Sequence, residues 1–311
     1  MPGVPPARYA YLGPQGTFTE AALRSLPAAR NAELQPLGSV GAALDAVRSG
    51  EADGAVVPIE NSVEGAVAVT LDELSSGDPL IITREIHVEV QFSLLAKPGT
   101  APVDIRRVAT HPHAEAQCRR WLATHLPDAE VILESSTAQA AAIVAVQDSP
   151  YDGAVAAPIA ATTYRLATLA SNIADRTDAV TRFVLVSRPA APQPPTGSDK
   201  TSLVVFIRDN HPGALLEMLE QFAARGVDLT RIESRPTGTA LGEYCFFIDA
   251  VGHVADQRMG EALMGLRRTC ADVRFLGSYP RADGKVTPVG QGTSDSDFTA
   301  AQRWLTSLRN A

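Results

Sequence analysis

Asp53-Gly-Ala-Val-Val-Pro-Ile59 and Asp152-Gly-Ala-Val-Ala-Ala-Pro-Ile159 stand about a hundred residues apart in this chain. Each follows a helical pattern. Ser39 is placed to cap a helix over Val40 to Ser49, with Gly50 as its stop, and Thr137 opens the second. Each copy is therefore a helix, then a short apolar run suited to a buried strand, then Pro-Ile at the strand's carboxyl end. Two such units in parallel positions predict two similar α/β lobes with a cleft between them. Ligands of open α/β sheets sit beyond the carboxyl ends of the strands. The segments after Val57 and after Ala157 are thus expected to line that cleft.

Outward from these copies, Tyr9-Ala-Tyr-Leu12 reads as a strand and Thr19 to Leu26 as a helix. The alternation argues for α/β construction with a mostly parallel sheet. Pro189-Ala-Ala-Pro-Gln-Pro-Pro-Thr-Gly-Ser-Asp199 has four prolines and no apolar period, the mark of a semi-rigid linker. Beyond it the pattern is β-α-β-β-α-β, as in ferredoxin-like folds. Strands are read at Thr201–Arg208, Val227–Glu233, Glu243–Val251 and Asp272–Tyr279. A helix runs to Ala224, with Gly226 as its stop, and another spans Gln257–Arg268. The expected division is 8–188, a linker at 189–199, 200–281, and a tail at 282–311. That tail ends in an amphipathic stretch with Phe298, Trp304, Leu305 and Leu308, whose apolar side is expected to dock on the body or on another subunit.

The 311 residues are 45% hydrophobic and 20% charged, which excludes wholesale disorder. A formal charge of −8 argues against a nucleic-acid binder. No apolar run reaches the roughly 18 residues of a membrane span, and the amino-terminal stretch lacks the apolar core of an export signal. A cytoplasmic protein is expected. Cys118, Cys245 and Cys270 are scattered, which fits reduced thiols rather than a disulfide frame or zinc site. His111-Pro-His113 is the one close histidine pair, and its proline makes an extended turn that suits metal ligation poorly. No metal or cofactor is expected.

Four polar segments interrupt the apolar plan: Gly13 to Thr19, Glu60 to Gly65, Thr110-His-Pro-His113 with Gln117, and Thr181-Arg-Phe183. The first follows a strand and opens a helix, so its amides can surround an anion; a glycine turn with a cap is the plainer alternative. Asn61, Ser62 and Glu64 fall at the predicted cleft, although Asn61 and Ser62 could simply cap the next helix. Arg182 stands just before the apolar strand Phe183 to Val186, where its guanidinium could reach the cleft mouth and take a carboxylate. Together these describe a polar, anion-accepting site.

Three of these stretches, Tyr11-Leu-Gly-Pro-Gln-Gly-Thr-Phe-Thr-Glu-Ala-Ala22, Val57-Pro-Ile-Glu-Asn-Ser-Val-Glu-Gly65 and Thr181-Arg-Phe-Val-Leu-Val186, resemble the hallmark segments of the prephenate dehydratases. Pro212-Gly-Ala-Leu-Leu216 and Ile232-Glu-Ser-Arg-Pro236 are similar to that family's ACT regulatory domain. The resemblance implies a two-lobed, periplasmic-binding-protein-like catalytic domain and a ferredoxin-like ACT domain. It also implies conversion of prephenate to phenylpyruvate, water and carbon dioxide, with L-phenylalanine as feedback effector and a homodimer or homotetramer. By the same resemblance, Thr181 is the essential threonine. Asn61 and Ser62, then Thr110 and Gln117, are polar substrate contacts; Arg182, Phe183, Gln15 and Thr17 join them. Glu64 is the expected proton donor, provided desolvation raises its pKa. Asn210, Gly213, Ala214 and Leu215, with Glu233, Ser234, Arg235 and Pro236, are expected to hold the effector. His113 departs from the polar residue often found there. Because the first motif starts at Tyr9, no chorismate mutase domain is expected. Arogenate dehydratase is the near alternative, and a non-catalytic cleft protein joined to an amino-acid sensor is the distant one.

Overall fold

The computed structural model describes residues 6–238 and 243–310; residues 1–5, part of the stretch read for an export signal, lie outside them. In chain order the elements begin β1 (Arg8–Leu12), α1 (Phe18–Ser25), β2 (Glu33–Leu37), α2 (Val40–Ser49), β3 (Gly54–Asn61), β4 (Gly65–Ala66), α3 (Ala68–Ser75) and β5 (Ile81–Glu89). They continue β6 (Ser93–Ala96), β7 (Arg107–Thr110), α4 (Pro112–His125), β8 (Glu130–Leu133), α5 (Thr137–Ala145), β9 (Gly153–Ala156), α6 (Ile159–Tyr164), β10 (Ala167–Ala170) and β11 (Val180–Ser187). The rest are β12 (Asp199–Phe206), α7 (Ala214–Ala223), β13 (Leu229–Pro236), β14 (Tyr244–Val251), α8 (Gln257–Thr269), β15 (Asp272–Pro280) and α9 (Asp295–Arg309). The chain divides into two compact units, one up to Thr70 with Ile86–Leu185, the other Leu71–Glu85 with Val186 onward.

In the first unit the sequence echo becomes a repeated fold. One sheet runs β2-β1-β3-β11-β5, with β4 on β3; the other runs β10-β6-β9-β7-β8. The trios β2-β1-β3 and β8-β7-β9 are both parallel and share a register: Tyr9 lies opposite Gly54, and Val108 opposite Gly153. The two aspartates even do the same work. Asp53 accepts the Arg8 amide at 2.8 Å, and Asp152 accepts the amides of Arg106 and Arg107 at 2.9 and 2.8 Å, each tying its strand to the start of the central one. Ser39 accepts from the Ala42 amide and Gly50 closes α2 at φ +83°, as its sequence predicts. Strands buried on both faces read as apolar runs rather than alternations, and Ala55, Val56, Val57, Ala154, Val155 and Ala156 are all fully buried.

The second unit has the expected β-α-β-β-α-β order, with an antiparallel sheet β13-β14-β12-β15. Its core joins Leu203, Val205 and Ile248 of the sheet to Met218 and Phe222 of α7 and Met259 and Leu266 of α8. It also takes in Leu71–Glu85, which the expected division leaves in the first part. The reason is polar as well as apolar. The Lys200 ammonium meets the Glu85 carboxylate at 2.9 Å with both side chains buried, and Glu85 accepts the Ala282 amide as well. Arg274 donates to the carbonyls of Ser76 and Gly77 at 2.9 and 3.2 Å. Gly277, at φ +127°, leaves no room for a Cβ against the Ile82 carbonyl. Residues 188–198 form neither helix nor strand.

Candidate active site

Within the first unit a cavity of about 520 Å³ opens where the two sheets present their helix starts. Three helix amino ends reach it: Thr17 caps α1, His111 caps α4 and Ser136 caps α5, and each cap and its first turn line the wall. The first amides of a helix lack intrahelical acceptors and carry partial positive charge. Three such ends around one space, with Phe18, Phe92 and Phe183 beside them, suit an anionic ligand with an apolar ring.

The polar centre is an asparagine and a threonine from different strands. Asn61, at the end of β3, accepts the amides of Val63 and Glu64 through Oδ1 at 2.8 and 3.0 Å. That fixes its amide group, so Nδ2 donates to Thr181 Oγ1 on β11 at 2.8 Å. With its oxygen occupied as an acceptor, the Thr181 hydroxyl has its own proton to give, and both residues line the cavity. Phe183 and Gln117 line it too, and so does Thr17, whose hydroxyl accepts the Glu20 amide and donates to the Leu12 carbonyl. Glu64 is on the wall but exposed; the burial that its donor role needs is absent in this form.

Four expected contacts are placed elsewhere. Arg182 lies inside β11 rather than before it. Side chains alternate along a strand, so with Thr181 and Phe183 toward the cavity the intervening guanidinium is turned away, and its Nη1 lies 3.5 Å from Glu60. Thr110 is fully buried and gives its hydroxyl proton to the Val155 carbonyl at 2.8 Å, bracing β7 against β9. Ser62 exchanges two 2.9 Å bonds with the Val180 backbone, which holds the Asn61 loop against β11. Gln15 is exposed, and its backbone carbonyl accepts the Tyr164 hydroxyl at 2.6 Å.

His111, part of the polar segment Thr110 to His113, is on the wall with His113. Its Nδ1 accepts the His113 amide at 3.2 Å, which leaves Nε2 to carry the proton of the neutral ring. Burial, and then neighbouring His113, push its pKa down, so it stays uncharged at neutral pH. Ser135 and Ser136 were missed altogether. Their one signal was position, the turn before the helix that Thr137 opens. Cys118 is no nucleophile: burial pushes its thiol up to about 12. Among the described residues no group of three or more His, Cys, Asp or Glu could hold a metal ion.

In the second unit the expected effector residues fall into separate places. Asn210 lines a cavity of about 380 Å³ with Arg208, Thr237, Glu243 and Tyr244. Gly213 caps α7 at φ +98°, Ala214 is buried and Leu215 exposed. Glu233, Ser234, Arg235 and Pro236 lie on β13, at the edge of the sheet. The Arg235 guanidinium is engaged by Asp72 through two bonds of 3.0 and 2.7 Å.

The chain is 50% identical to a prephenate dehydratase of Amycolatopsis methanolica over 304 residues, covering 97% of this chain and 98% of that one. Among solved structures, a prephenate dehydratase from Arthrobacter aurescens in complex with L-Phe superposes with a TM-score of 0.94 at 52% identity, covering 98% of this chain and all of its own. A protein described as a quorum-quenching acylase superposes with a TM-score of 0.78 at 31% identity, covering 88% of this chain and 97% of that one. The family model for prephenate dehydratase matches residues 9–191, a stretch that opens in β1 and holds every wall residue named above, and the chain accordingly belongs to the prephenate dehydratase family.

Proposed function

We propose that the protein converts prephenate to phenylpyruvate, water and carbon dioxide, a carbon–oxygen lyase of phenylalanine biosynthesis acting in the cytoplasm as a homodimer or homotetramer. The observation that carries this reading is the Asn61–Thr181 bond in the wall of a cavity ringed by helix amino ends. Prephenate is a dianion with a ring hydroxyl. The ring carboxylate leaves as carbon dioxide, the electrons of its C–C bond move into the ring, and the C–O bond to the hydroxyl breaks as that group takes a proton and departs as water. Aromatisation drives the step, so positioning and charge placement are what the protein must add.

In this reading the Thr181 hydroxyl, held by Asn61, donates to the departing hydroxyl and orients it. The helix ends of α1, α4 and α5 hold the carboxylate that is retained, and Phe183 packs on the ring. A threonine hydroxyl is too weak an acid to give up its proton outright. Glu64 supplies that proton from the rim, with closure of the lobes on substrate providing its desolvation. The second unit is read as an ACT domain that binds L-phenylalanine, and Asn210 and the Gly213 turn are the effector contacts most open to a ligand. A likeness to an L-Phe complex at 52% identity supports this part.

The test is turnover of prephenate by the purified protein, followed as phenylpyruvate absorbance with and without L-phenylalanine. Product suppressed by phenylalanine is expected. Product indifferent to it removes the effector assignment, and no product from a folded protein overturns the activity, with arogenate the next substrate to try.

A further inference from the structure

Helix α9 is held at one end only. Asp295 accepts the Gln257 amide at the start of α8 at 2.9 Å, and Ser294 and Asp297 form a reciprocal capping box. Phe298 and Thr299 are half-buried, but beyond them support ends: the helix has no buried residue, and every position from Ala301 to Asn310 is exposed. Fifteen residues are at the lower limit for a helix to persist in water without packing. Yet its side chains are not those of a solvated helix. Phe298, Ala301, Leu305 and Leu308 are spaced three, four and three residues apart, the interval that keeps a narrow apolar seam facing a partner helix. Trp304 stands beside the seam at 64% exposure, with Leu308 at 56%.

The charges say what that partner is. The acidic residues, Asp295 and Asp297, are in the first turn, and the basic ones, Arg303 and Arg309, are in the second half. A copy of the same helix laid antiparallel puts the acidic end of each against the basic end of the other and sets the two helix dipoles head to tail. It also matches the seam to itself: Phe298 faces Leu308 and Ala301 faces Leu305, twice, about a local two-fold axis. A parallel copy would bring like ends together.

We propose that α9 is an association arm, pairing antiparallel with α9 of a second copy of this chain through Phe298, Ala301, Leu305 and Leu308. The arm is short, so it strengthens an assembly by raising the effective concentration of the other contacts between the same two chains.

Cysteine cross-linking in the full chain tests it, because Cys118, Cys245 and Cys270 are all buried and stay silent. Chains carrying Ala301→Cys alone and Leu305→Cys alone, one of them tagged, are mixed and mildly oxidised. The expected result is a mixed disulfide formed at least five times faster than either homodisulfide, and slowed at least fivefold when both chains also carry Leu308→Asp, with the circular dichroism spectrum unchanged. Fastest self-linking of Ala301→Cys indicates a parallel pair and overturns the proposal. So do cross-links indifferent to Leu308→Asp. No intermolecular cross-link at all means that the seam is covered within its own chain or by another protein, and overturns it equally.

Discussion

The hydroxyl of Thr181 is useful because of what Asn61 does to it. A free threonine hydroxyl rotates among acceptors, whereas one that already accepts from a fixed amide has a single proton to direct. Thr181→Ala is therefore expected to lower kcat by about 10²–10³, the usual scale for removing one pre-aligned donor, with a much smaller change in KM. Thr181→Ser should keep most of the turnover; equal activity of all three proteins would remove Thr181 from the chemistry. For Glu64→Gln, a loss of at least about tenfold in kcat is expected, at the modest end of general acid catalysis, and near-normal turnover eliminates Glu64 as the donor. His111 offers a reading that needs no substrate. Burial and His113 hold its folded-state pKa below the ordinary 6.5, so the unfolded chain takes up the proton first as pH falls. Stability owed to the neutral ring is whole above 6.5 and is lost downward through the folded value. The imidazole proton resonance of His111 should titrate with a midpoint below 6.5, and a midpoint at or above it would contradict the burial seen here.

Among the elements, those that local chemistry determines were legible in the sequence and those that tertiary pairing determines were not. Ser39 and Gly50 bound α2 residue for residue, and the echo of Asp53-Gly in Asp152-Gly announced two sheets that share a register, because cap, stop and buried strand are all written within a few neighbours. The direction of Arg182 was not so written: outside a strand its side chain is free to turn toward the cleft, but β11 begins at Val180 rather than Phe183, and inside a strand the alternation of faces sets Arg182 opposite Thr181 and Phe183. The convergence of α1, α4 and α5 depends on how two sheets face each other, which no window of sequence contains. The start of α1 shows how much a single turn must supply. Gly16 sits at φ +83°, gives its amide to Glu20 at 2.6 Å, and lies where a Cβ would come within 2.9 Å of the Tyr164 ring and 3.3 Å of Ala160. Gly16→Ala combines a left-handed backbone with that crowding. A cost of about 1–3 kcal/mol is expected, read as a lower urea midpoint, together with weaker turnover because Thr17 and Phe18 are displaced. An unchanged midpoint would mean that the turn relaxes freely.

For the molecule as a whole, the notable departure from sequence order is that Leu71–Glu85 belongs with residues far downstream, and its charges explain the attachment. Glu85 and Lys200 are 6% and 7% exposed, so neither ion is solvated if its partner is removed. A buried pair of this kind adds little over an apolar pair of the same shape, but breaking one is costly because an uncompensated charge is left behind. Glu85→Ala is accordingly expected to destabilise the second unit by about 3–5 kcal/mol. It should speed hydrogen exchange in β12 and β15, the strands that carry Lys200 and lead to Ala282. Replacing both partners, Glu85→Leu with Lys200→Met, should recover more than half of the loss. Full recovery is not expected, because the Ala282 amide, which Glu85 accepts at 2.9 Å, still loses its acceptor. If the double variant is as unstable as Glu85→Ala, the carboxylate's bond to Ala282, and not its pairing with Lys200, is what holds the segment in place.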